Sequence, residues 1–220
     1  MNLRNIRLFY ILEAILALLS GIILPVYVVY FRHYGVTLLE VALLASVFEA
    51  TIILFELPTG LFADRYGRKL STAVGFLLLG FSGLIFFYFR GFVGFLAAEI
   101  VFGIAETFIS GALEALAVDS LNGELREKYL SRLFSNRTAV RTAALLVGMI
   151  GGGLLAEKYL PALFIPVMTL GLIGLIISLF LLERHFDTVS GKKSGLRNSM
   201  KLLHQSVFSN RVIMAIFVVG

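Results

Sequence analysis

Gly60-Leu61-Phe62-Ala63-Asp64-Arg65-Tyr66-Gly67-Arg68-Lys69 puts four charged residues and two glycines into ten positions, between two runs of apolar sequence. Gly67 has no Cβ and so suits a tight turn. Gly60 offers a place where another helix can come close. Asp64 is suited to accept hydrogen bonds from a helix N-terminus, and the planar fork of Arg68 to pair with a carboxylate. Arg65 and Lys69 need no explanation beyond the basic residues that gather on the cytoplasmic side of a membrane. The stretch reads as a short loop joining two helices.

The sequence on both sides says which solvent those helices face. Hydrophobic residues make up 59% of the 220 positions and charged residues 15%, against roughly 45–50% and about 25% in soluble domains. A chain of this size has too little interior to hide so much apolar surface from water. About 20 apolar residues cross a bilayer as a helix. Such runs lie near 8–31, 38–62, 70–89, 92–118, 138–156 and 161–182. The first is longer than the apolar core of a signal peptide and reads as a retained helix. The expectation is an all-α integral membrane protein, with a six-helix domain over 1–182. A polar loop with an amphipathic helix follows over 183–206, carrying Leu196, Met200 and Leu203 at helical spacing. The start of a seventh helix, cut at Gly220, occupies 207–220.

Charge sets the orientation. With the N-terminus in the cytoplasm, 16 of the 19 Lys and Arg residues fall on the inner side, and only Arg32, Arg90 and Lys158 on the outer. That asymmetry follows the positive-inside rule. The formal charge of +5 is then topology rather than a sign of nucleic acid, with anionic lipid as its counter-surface. A multi-pass protein of the cell (plasma) membrane is expected. Tyr27, Tyr30, Phe31 and Tyr34, and likewise Phe86 to Phe89, read as interfacial anchors at the outer ends of helices 1 and 3.

The loop has an echo. Gly60-Leu61-Phe62-Ala63-Asp64-Arg65-Tyr66 reappears, 93 residues on, as Gly153-Leu154-Leu155-Ala156-Glu157-Lys158-Tyr159. The same offset carries helix 3 onto helix 6, helix 1 roughly onto helix 4, and Glu13 onto Glu106. Three helices intervene, so the copies lie on opposite sides of the membrane. This is a 3+3 inverted repeat, an arrangement found in secondary transporters.

The ten residues from Gly60 to Lys69 resemble the signature loop of the major facilitator superfamily: a glycine, an aspartate four on, a basic residue, a glycine and a basic pair. The preceding Pro58-Thr59 is similar to a run in many bacterial members. The resemblance implies one half of a twelve-helix transporter. It implies that the loop is a conformational latch, with Asp64 touching the second half and Arg68 paired with an acid at the inner end of helix 4, where Asp119 stands. Two other family motifs are degraded. Glu99, four before Gly103, stands where proton-coupled members carry Arg. In helix 5, Gly148, Gly152 and Gly153 keep the packing glycines of antiporters, while Met149 replaces their Pro. These departures weaken a reading as a drug–proton antiporter.

Seven acids, Glu13, Glu49, Glu56, Glu99, Glu106, Glu114 and Asp119, fall within apolar runs. A charged carboxylate at mid-bilayer costs about 2.5–3.5 kcal/mol on insertion scales, so these acids imply a polar interior. Glu99 and Glu106 are two helical turns apart and share a face. In the resembled family, helices 1 and 4 line the central cavity. That makes Glu13 and Glu106 the leading candidates to carry a proton or meet a cationic substrate, with Glu99 and Glu114 behind them. The rival reading is structural pairing of Glu56, Glu114 and Asp119 with Arg68, Arg137 or Arg141.

The chain has no Cys, no Walker loop, no nucleophile–base constellation and no His cluster. The expectation is a non-enzyme without cofactor or metal. Its function would be secondary active transport of a small solute by alternating access, proton- or ion-coupled, with efflux preferred by family analogy. Expected partners are a small-molecule substrate, protons, membrane lipids, and a missing C-terminal half or a second copy, but no nucleic acid. Two other readings stay open: a non-transporting scaffold or regulatory subunit, and a six-helix transporter working as a homodimer.

Overall fold

The computed structural model describes residues 3–121 and 126–181, and every described element is helical. The expected loop over 183–206 and the start of a seventh helix lie outside the described residues. In chain order the helices are α1 (Leu3–Ile23), α2 (Tyr27–His33), α3 (Leu38–Tyr66), α4 (Arg68–Tyr88), α5 (Phe92–Asp119), α6 (Arg126–Tyr159) and α7 (Ile165–Leu179). Two 3-10 turns interrupt them, at Leu24–Val26 and Leu160–Phe164, each with a proline at its start. Proline lacks the N–H that would continue an α-helix.

Five helical stretches are long and apolar enough to cross a bilayer. The last of them, Tyr129–Leu179, is 51 residues long and takes in all but the first three residues of α6 and the whole of α7. The chain reverses inside it. α6 runs alongside α1 in the same sense, for Tyr10 Oη donates to Leu133 O and Gly21 abuts Gly148. α7 runs against α4, since Gly83 meets Met168, Gly80 meets Gly171 and Phe76 meets Gly174. Both α1 and α4 run opposite to α5, as the contacts Asn5–Ser120, Tyr27–Glu99, Arg68–Asp119 and Phe86–Phe95 require. The described chain therefore makes six passes, three in each sense.

The repeat is visible in this packing. α3 ends at Tyr66 and α6 at Tyr159, 93 residues apart, and they run in opposite senses. The parallel pair α1–α6 is answered by the parallel pair α5–α3, where Thr51 meets Gly103 and Phe48 stacks on Phe102. The antiparallel pair α4–α7 closes the arrangement.

Local chemistry sets the turns. Gly67 sits at φ 100° and ψ 146°, a region that Cβ disfavours. At the start of α3, Thr37 and Glu40 form a reciprocal capping box: Glu40 N donates to Thr37 Oγ1, and Thr37 N to Glu40 Oε2 at 2.7 Å.

Two expectations change. The expected fifth span begins at 138, but α6 starts at Arg126. Hydropathy misses its first turns because they carry Arg126, Glu127, Lys128, Arg132 and Arg137, and a charge that finds a partner, as Arg137 does, can continue a helix. The aromatic residues at the end of the bundle where Gly91 turns the chain are not all interfacial anchors. Tyr30, Phe31 and Phe86 are at most 2% exposed and form a close-packed cluster with Phe95 and Phe164. Tyr88 and Phe89 alone of the second group are strongly exposed among the large apolar side chains.

Candidate functional site

At the Gly67 end, Arg68 opens α4 and reaches the C-terminal turn of α5. It pairs with Asp119, and its Nη1 also donates to Ala115 O at 2.9 Å. The guanidinium thus ties the signature loop to the end of α5, where last-turn carbonyls welcome a cation. Asp64 and Arg65 are exposed and Lys69 is half-buried. A Cβ at Gly60 would meet no described heavy atom within 4 Å, so the face it presents is open among the described residues. A cavity of about 500 Å³ lies beside this loop, lined by Glu56, Arg68, Ser110, Gly111, Glu114 and Asp119 among others.

Deeper in the bundle, three helices bring a charge cluster together. Glu13 of α1 is 2% exposed. It pairs with Arg137 of α6, Nε to Oε1 at 2.8 Å, and with Arg141, Nη1 to Oε2 at 2.5 Å. Arg137 also reaches Glu114 of α5 at 3.0 Å. The two arginines are four residues apart and so share a face of α6. Glu106 lies within electrostatic reach of Arg141, Glu13 and Arg137, but it forms no ion pair or side-chain hydrogen bond among the described residues. If all were ionised, three carboxylates would face two guanidinium groups.

The four acids named as cavity candidates therefore separate. Glu13, Glu106 and Glu114 belong to one cluster, with Glu13 and Glu114 held by arginines. Glu99 stands apart, buried at 2% exposure, with Tyr27 Oη donating to its Oε1 at 2.7 Å. Sequence reasoning missed two things here. It did not see that Arg137 bridges two helices, although the spacing of Arg137 and Arg141 is a signal for a shared face. Nor did it see Tyr27 as the partner of Glu99, and no pattern in the sequence marks that pair.

The glycines of α6 also separate. A Cβ at Gly148 would lie 2.3 Å from Leu18 O and one at Gly152 2.2 Å from Ile22 O, so both let α1 approach at backbone contact. Gly153 does not: it faces open space among the described residues. Hence Gly148 and Gly152 pack α6 on α1, and Gly153 lies on the opposite, uncovered side.

Residues 9–220 match the sequence profile of the Major Facilitator Superfamily. An uncharacterized MFS-type transporter of Bacillus subtilis is 26% identical over 218 residues, covering 97% of this chain and 53% of the relative. One from Methanocaldococcus jannaschii is 26% identical over 223 residues, covering 96% and 55%. The quinolone resistance protein NorA of Staphylococcus aureus is 23% identical over 197 residues, covering 89% and 50%. The chain spans about half the length of the curated relatives it matches. Six apolar passes, a glycine turn joining the second to the third, an arginine that ties this turn to α5, and a profile match over nearly the whole sequence agree: the chain belongs to the major facilitator superfamily.

Proposed function

We propose that this chain forms the first half of a secondary transporter that moves a small solute by alternating access and is coupled to protons through Glu106. The observation that carries the reading is the charge count around Arg137 and Arg141. With Glu13, Glu106 and Glu114 ionised, the cluster has one negative charge more than its two arginines neutralise. A proton on Glu106 removes the excess. When that proton leaves, Glu106 competes with Glu13 for Arg141, and the tie between α1 and α6 loosens. A protonation change in α5 thereby becomes a packing change between α1 and α6. Alternating access needs such a bistable contact, which both proton and solute can bias.

The chain works with a second set of helices, since its relatives are twice as long. That second half covers the loop at Asp64, and the Arg68–Asp119 tie holds the loop in the shape it covers. The N-terminus lies in the cytoplasm of a plasma-membrane protein. Export is the direction proposed, supported by the likeness to a protein named for quinolone resistance.

The test is Glu106→Gln in the intact transporter, reconstituted in liposomes with norfloxacin as the quinolone probe and a pH gradient as the driving force. The variant is expected to lose gradient-driven movement while keeping exchange at equal pH. Gradient-driven movement equal to that of the unaltered protein would overturn the proton role of Glu106.

A further inference from the structure

The cavity of about 500 Å³ beside the signature loop plays no part in the proton step at Glu106. Its walls hold three carboxylates, Glu56, Glu114 and Asp119, and one guanidinium, Arg68. The three acids are not equally provided for. Asp119 is held by Arg68, whose Nη1 also serves Ala115 O. Glu114 shares Arg137 with Glu13, through Oε2 alone, and its side chain stays 43% exposed. Glu56 of α3 is exposed and forms no ion pair or side-chain hydrogen bond among the described residues.

Depth makes that carboxylate costly. Glu56 precedes the end of α3 at Tyr66 by ten residues, about 15 Å at 1.5 Å per residue. That is about half the hydrocarbon core of a bilayer, ~30 Å. Its neighbours Ile53, Leu54 and Leu57 are 74%, 70% and 57% exposed, a surface for lipid or for another helix. An ionised carboxylate among them is expensive against lipid and calls for a base or water. The shape of the walls favours a base carried on a helix. Gly60 lies one turn after Glu56, and Gly111 three residues before Glu114, so each glycine shares a face with its acid. A Cβ at either would meet no described heavy atom within 4 Å. Glycines so placed let a further helix come to backbone distance, whereas water needs no such surface. Further helices are at hand in the relatives, of which this chain covers only 53% and 55%.

We propose that the groove between Glu56 and Gly60 of α3 and Gly111 and Glu114 of α5 seats a helix of the second half, and that a Lys or Arg of that helix enters the cavity to pair with Glu56 and Glu114. This rests on the second half proposed above and gives its contact a chemistry: one base, at the depth of Glu56, against two carboxylates. The long apolar stem of such a side chain can lie along the glycine faces while its charged head reaches the acids. The contact ties the two halves together at the Gly67 end.

The test is made on the intact transporter in lipid nanodiscs. Photoreactive p-benzoylphenylalanine replaces Ile53, which is exposed and one turn from Glu56 on the same face. Illumination should link it to one helix of the second half, and the linked peptide, read by mass spectrometry, should carry a Lys or Arg. Changing that base to Gln, changing Glu56→Gln, and changing both should lower the unfolding temperature by the same amount, because the second change has no pair left to break. Glu49→Gln, an exposed acid two turns away on α3, should instead add in full to the change of the base. Links to lipid alone, a linked peptide without a base, or additive effects of Glu56 and the base would overturn the proposal. Coupling as strong at Glu49 as at Glu56 would also overturn it, as a general effect of charge. If Glu56→Gln does not fold, the cross-link decides. A link to a second copy, seen as a product of twice the mass, overturns both the docking and the second half it rests on. None of these readouts involves a proton or a solute, so a failure of the transport role of Glu106 leaves them standing.

Discussion

Arg68 carries two duties in one side chain. Its charge meets Asp119, and the same nitrogen caps the carbonyl of Ala115, so it holds the start of α4 to the end of α5. Both side chains are about a third exposed, 30% for Arg68 and 33% for Asp119, so solvent screens part of the attraction. Residues in one such network commonly couple by about 0.5–3 kcal/mol. A double-mutant cycle of Arg68→Ala and Asp119→Ala, read by thermal unfolding in detergent, should give a coupling in that range. Additive effects would mean that the pair is not energetically linked. The cluster around Arg137 is a different case. Glu13 is almost fully buried there, and removing a partner of a buried ion costs more than removing a pair on the surface. Arg137→Ala should therefore lower the unfolding temperature more than Arg68→Ala.

Among the elements, α6 shows how one helix can present two unlike faces. Gly148 and Gly152 touch the backbone of α1, while Gly151 and Gly153 meet nothing within 4 Å. All four are glycines of one short run, and hydropathy cannot sort them. The helical period of 3.6 can: Gly148 and Gly152 are one turn apart and share a face, and the glycine on either side of Gly152 is rotated away. Gly148→Leu should push α1 and α6 apart, since even its Cβ would lie 2.3 Å from Leu18 O. Loss of folded protein in size-exclusion chromatography is the expected result. Gly151→Ala should instead stabilise the chain by about 1 kcal/mol, the usual gain of alanine over glycine within a helix, seen as a raised unfolding temperature. If Gly148→Leu were as well tolerated as Gly151→Ala, the close packing of α1 on α6 would be wrong.

At the scale of the whole molecule, the unequal burial of the spans is the informative feature. In α3 only 17% of the most apolar window is buried, against 56% for the first span. Ile53, Leu54 and Leu57 are more than half exposed. Lipid can cover side chains such as these. The open glycines Gly60 and Gly153 lie at the ends of α3 and α6, on faces where another helix can approach. With a second half as the partner, Gly60→Leu should leave the stability of this chain unchanged while weakening its co-purification with the second half. Equal co-purification would remove Gly60 from the contact. The orientation is checked separately with a cysteine at Arg90, which should be labelled by an impermeant maleimide added outside intact cells.

Much of the architecture was legible in the residues alone. The apolar runs, the polar loop at Gly67 and the echo 93 residues later are local patterns, and local patterns are what hydropathy and repeat period report. They pointed to a membrane solvent, to six passes and to the family of the loop. What they could not report is register between helices distant in sequence. Glu13 and Arg141 are 128 positions apart, and Tyr27 and Glu99 are 72 apart. Sequence spacing says which residues share a face of one helix, but not which face meets which. Only the packing of α1 against α6, set by two glycines that admit backbone contact, brought Glu13 to its arginines. Only the packing of α2 on α5 brought Tyr27 to Glu99, a carboxyl that has no ion pair among the described residues.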